Sequence, residues 1–146
     1  MESDPLRIKD TLAPVDGSAA SFDALQLACL LSRRNKGTVF AVYVIEVART
    51  LPLDAEMGAE ADVGEGVLQR AEEIAGALDC RIEGELLQAR DRGHAIVDEA
   101  IDREVGAVIM GVPFGRELGE FQLDETALYV LKNAPCRVIL CRTGEV

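Results

Sequence analysis

The chain has 146 residues, 49% of them hydrophobic and 28% charged, and 15 Lys+Arg against 26 Asp+Glu leave a formal net charge of −11. That length suits one globular domain with a core of its own, needing no disulfide or metal staple. So acidic a chain lacks the clustered Lys/Arg that nucleic acid or an anionic membrane surface demands, and no run approaches the roughly 20 apolar residues of a membrane span.

The apolar pattern changes period in a regular order along the chain. Leu12-Ala13-Pro14-Val15 reads as a short buried strand, stopped at Asp16-Gly17-Ser18. Phe22, Leu25, Ala28 and Cys29 then recur at helical spacing, predicting a helix over about 18–35 with Gly37 just past its end. Thr38 to Ile45 is apolar at nearly every position and rich in β-branched residues, as in a strand buried on both faces. From 47 to 66 the period is lost among Asp54, Glu56, Glu60, Asp62, Glu65 and three glycines, which predicts a long, mobile, acidic connection, partly helical at most. Val67 to Leu78 marks a second helix and Arg81 to Ala89 a third strand. A third helix starts near Asp91–Gly93 and is closed by Gly106, and Ala107-Val108-Ile109-Met110 is a fourth strand. A loop of Gly, Pro and charge leads to a short helix over 123–133, stopped by Pro135, and Cys136 to Cys141 is a fifth strand.

The expectation is one α/β domain over 1–146: a single doubly wound, five-stranded parallel sheet with helices on both faces and strand order 3-2-1-4-5. Four cysteines without Cys-x-x-Cys spacing, and one histidine, predict buried reduced thiols and no metal cage. Cys136 and Cys141 are an odd number of positions apart, so a strand places them on opposite faces. The polar, acidic opening MESDPLRIKD shows no secretory signal, which makes the cytoplasm the expected location.

In such a sheet a ligand binds beyond the strand ends where the winding reverses, here between the first and fourth strands. The residues there are Asp16-Gly17-Ser18 and Gly111-Val112-Pro113-Phe114-Gly115. Asp16 suits either acceptance of hydrogen bonds from an amine or ribose, or a turn and capping role, and the two are compatible. Ser18 reads as a helix cap rather than a nucleophile, since no base lies nearby, and His94 as a solvent-facing residue. No triad, Cys–His pair or metal cluster is apparent, so no catalytic residue is expected.

The segments Leu12 to Ser18, Val42-Tyr43-Val44-Ile45, Val108-Ile109-Met110-Gly111 and Val130 to Val138, in this order and spacing, resemble the universal stress protein family across essentially the whole chain. The resemblance implies the adenine nucleotide alpha hydrolase-like fold, homodimers formed through the last strand, and, in many members, ATP as ligand. Asp16, Val44 and Gly111 match the family's nucleotide-binding positions. The rest of its pattern, Gly-x-x-Gly, nine residues, then Gly-Ser/Thr, does not match. In one register Phe114 and Asp124 replace the second and third glycines and Glu125 the Ser/Thr; in the other, Gly115 and Thr126 align but Glu125 replaces the third glycine.

Glycines there let backbone N–H groups approach phosphate oxygens. Here Glu117, Glu120, Asp124 and Glu125 face one arginine, Arg116. Each like-charge pair at about 5 Å costs roughly 1 kcal/mol in water and more in a drier site, enough in sum to erase micromolar ATP affinity. The sequence therefore predicts a non-enzymatic regulatory domain with weak or lost ATP binding, acting on an unknown protein partner or as a transporter accessory. The alternative is an adenine-nucleotide sensor for ATP, AMP or a cyclic nucleotide at the switch point. Val138, Ile139 and Leu140 lie on an expected edge strand, whose pairing with a second copy would remove an exposed edge.

Overall fold

The computed structural model describes residues 7–113 and 123–143. Five strands and four helices alternate: β1 (Thr11–Pro14), α1 (Ala19–Arg34), β2 (Thr38–Glu46), α2 (Gly58–Ala77), β3 (Arg81–Ala89), α3 (Arg92–Arg103), β4 (Ala107–Gly111), α4 (Glu125–Asn133) and β5 (Arg137–Cys141). All strands run parallel in the order β3-β2-β1-β4-β5, as the alternating pattern predicts.

The period of two along each strand divides the interior into two cores. Ala13, Val39, Ala41, Ala107 and Ile109 turn toward α1 and α2, where they meet Leu25, Ala28, Cys29, Ala71 and Ile74. Leu12, Val42, Val44, Val108 and Met110 turn the other way, toward Ile96, Val97 and Ala100 of α3 and Ala127 and Val130 of α4. The edge strand β5 obeys the same rule. Ile139 and Cys141 pack on the first core, and Val138 and Leu140 on the second. Cys136 also belongs to the second, so the two late cysteines do lie on opposite faces. Of the four thiols only Cys29 is fully buried, and Cys80, Cys136 and Cys141 are half-buried. Burial pushes all four upward, Cys29 to about 12, which favours the protonated thiol.

Segment 47–66, expected as a long, mobile connection that is partly helical at most, is helical over a larger share than its pattern suggested. Its second half is helix, since α2 begins at Gly58, nine residues before the predicted start. The apolar stripe was hidden because a glycine occupies its contact position: a Cβ at Gly64 would lie 2.5 Å from Leu86 Cδ1 and 2.6 Å from Tyr43 Cδ1. The first half is tied down. Arg90 Nη1 donates to the carbonyls of Ala48 (2.6 Å) and Leu51 (2.8 Å), and Gln88 Nε2 donates to those of Leu53 (2.9 Å) and Ala55 (3.0 Å). Among the described residues no helix is long and apolar enough to cross a membrane.

Gly37 also plays a different part from the expected one. The left-handed residue after α1 is Lys36, at φ 59°. Gly37 instead gives room for the backbone of Lys9, whose carbonyl would overlap any Cβ there. Likewise α3 ends at the left-handed Glu104, before Gly106.

Candidate functional site

β1 and β4 are neighbours in the sheet, and the chain leaves them in opposite directions, opening a crevice beyond their C-terminal ends. A cavity of about 260 Å³ lies there. Its walls come from the end of β1 (Pro14, Val15, Asp16), the first turn of α1 (Ser18, Ser21), β2 (Val42, Tyr43, Val44), the start of α3 (Arg92, Ile96), β4 and its exit (Met110, Gly111, Pro113), and the start of α4 (Asp124, Thr126).

The turn after β1 is built around Asp16. Its Oδ1 accepts the Ser18 N–H at 2.9 Å, closing a turn in which Gly17 takes φ 91°. The Ser18 hydroxyl accepts the Ser21 N–H at 3.1 Å and caps α1. Ser21 Oγ donates to the Ser18 carbonyl at 2.9 Å and accepts the Asp16 N–H at 3.3 Å. Burial pushes the Asp16 carboxyl upward, but hydrogen bonds from Ser18 and Ser21, with the charge of Arg92, outweigh it and hold the group below its ordinary value. Asp16 is thus ionised at neutral pH. One oxygen thus serves the turn, and the residue also lines the cavity.

The structure brings Asp16, Val44, Gly111 and Thr126 to one cavity. Gly111 has a packing reason of its own. A Cβ there would lie 2.1 Å from the Ala20 carbonyl oxygen and 2.7 Å from the Ser21 nitrogen, so only glycine lets β4 run this close to the first turn of α1. Asp124 lines the cavity as the N-cap of α4, its Oδ1 accepting the Ala127 N–H at 2.8 Å. Asp124 therefore has a local structural task of its own. Glu125 follows it, exposed, in the first turn. Phe114 and Gly115 lie outside the described residues.

Sequence reasoning missed Arg92, the cation of the described lining. Its backbone N–H donates to Glu46 Oε2 at 2.8 Å, which docks the start of α3 on the end of β2. Ser21 and Tyr43 were missed as well, each sitting inside an element rather than in a loop. His94 is exposed, as expected, and its Nδ1 is 2.8 Å from Asp91 Oδ1 while its ring stacks 4.1 Å from that of Tyr129. It borders a second, shallower depression of about 380 Å³ with Arg49, Leu53 and Asp98. Among the described residues no cluster of His, Cys, Asp or Glu could hold a metal.

Residues 7–142 match the model of the universal stress protein family. A universal stress protein of Methanocaldococcus jannaschii is 26% identical over 140 residues, covering 92% of this chain and 82% of that protein. The structure of a universal stress protein from Archaeoglobus fulgidus superposes with a TM-score of 0.77 at 21% identity, covering 91% of this chain and 97% of that one. An Archaeoglobus fulgidus universal stress protein in complex with dAMP superposes at 0.71 with 18% identity, covering 92% and 98%. Structures of the same fold have also been solved with cAMP and, from Arabidopsis thaliana, with AMP. This chain belongs to the universal stress protein family.

Proposed function

We propose that the protein is a non-enzymatic regulatory domain that binds a small adenine nucleotide or nucleoside in the β1–β4 cavity, with ATP binding weak or lost. The observation that carries this reading is the convergence of Asp16, Val44, Gly111 and Thr126 on one cavity of about 260 Å³. That volume lies just below the roughly 300 Å³ at which small-molecule sites usually begin, which favours a small ligand. The relatives solved with cAMP, dAMP and AMP support an adenine ligand. The carboxylates of Asp124 and Glu125 at the start of α4 oppose a polyphosphate.

On this reading the ligand alters what the domain presents to a protein partner in the cytoplasm, a transporter being one such partner, and turnover plays no part. The working unit is a homodimer joined through β5, which lies at the sheet edge. A thermal-shift panel tests the ligand class. Adenosine, AMP and cAMP should raise Tm at concentrations where ATP moves it little. A shift with ATP as large as with AMP contradicts the reading.

A further inference from the structure

The arginines of this fold are mostly occupied. Arg33 donates to the Leu78 carbonyl at 2.9 Å, Arg81 to that of Lys36 at 3.0 Å, and Arg103 meets Glu85 and Glu99 at 3.4 Å. Arg92 differs. Its backbone is fixed by Glu46, yet among the described residues its guanidinium makes no hydrogen bond or ion pair. It stands in the cavity wall and acts on Asp16 through charge alone.

We propose that Arg92 is the anion-binding residue of this cavity and that it makes the site prefer an adenine nucleoside bearing one phosphate. The proposal rests on the adenine-ligand reading above and adds the residue and the charge class. A guanidinium offers a planar fork of N–H donors that matches two oxygens of one phosphate. No second cation stands in the described lining, whereas Asp16 and Asp124 do. Asp124 is held in place by its cap bond to Ala127, so it cannot swing away from added phosphates without uncapping α4. One arginine therefore balances one phosphate, and further phosphates meet fixed negative charge.

Calorimetric titration of the wild-type protein and of Arg92→Gln with adenosine, AMP and ATP tests this. The wild type should bind AMP about tenfold or more tighter than adenosine, the range of a charge-assisted hydrogen bond. Arg92→Gln should remove that preference while leaving adenosine affinity within about twofold. Arg92→Lys, which keeps the charge but loses the fork, should fall between. Equal binding of adenosine and AMP by the wild type overturns the assignment and leaves the adenine site standing. An Arg92→Gln protein that retains the AMP preference, or loses adenosine and AMP alike, overturns it too. Failure of the wild type to bind adenosine or AMP at all overturns the underlying reading as well.

Discussion

Asp16 follows the buried Val15, with one carboxylate oxygen engaged by the Ser18 N–H and the residue bordering the cavity. Its folded pKa lies below the ordinary 3.8, so in acid the unfolded chain binds the extra proton. Asp16 therefore adds stability above that pH and loses it as pH falls through the folded value. Asp16→Asn should be less stable than wild type at pH 7, with the gap closing below about pH 4 as the carboxylate protonates. Urea unfolding across that range measures it, and a gap that stays constant would show that the charge is idle. This residue was legible in the sequence because an acid, a glycine and a serine directly after a buried strand spell a turn and a cap. Arg92 was not. It follows β3, which is separated from β1 by β2, and only the crossover into α3 carries it to the cavity wall.

At the scale of elements, the order and type of every strand and helix could be read from periodicity, and α2 shows where that reading stops. A period scan looks for large apolar side chains, and the closest approach of α2 to the sheet is made at Gly64 by having none. The acids before it are exposed, so nothing marked the segment as packed. Gly64 and Gly66 of this helix half should answer oppositely to alanine. Gly64→Ala drives a methyl into Leu86 and Tyr43 and should destabilise by about 1–3 kcal/mol. Gly66 meets nothing within 4 Å, so Gly66→Ala should stabilise by up to about 1 kcal/mol through helix propensity. Thermal or urea unfolding of the pair measures both, and equal effects would contradict the contact at Gly64. The same lesson applies at Gly111, where a glycine that suits phosphate approach is also demanded by the backbone of Ala20.

For the whole molecule, the net charge of −11 is not evenly meaningful. Glu60, Asp62 and Glu65 line the exposed side of α2 and solvate it. Asp124 and Glu125 stand at the start of α4, where on the proposed reading charge bears on the choice of ligand. The sheet also ends on β5, whose Val138, Ile139 and Leu140 are only half-buried. Light scattering should give twice the chain mass, and a monomer at micromolar concentration would count against the proposed β5 seam. On the proposed reading the β1–β4 cavity is an adenine site whose acidic rim disfavours polyphosphate. Titration calorimetry of the wild-type protein with AMP and then ATP tests it most directly. Saturable AMP binding is expected, with ATP affinity weaker by about tenfold or more; ATP binding as tightly as AMP, or no heat from AMP at millimolar concentration, would overturn that reading.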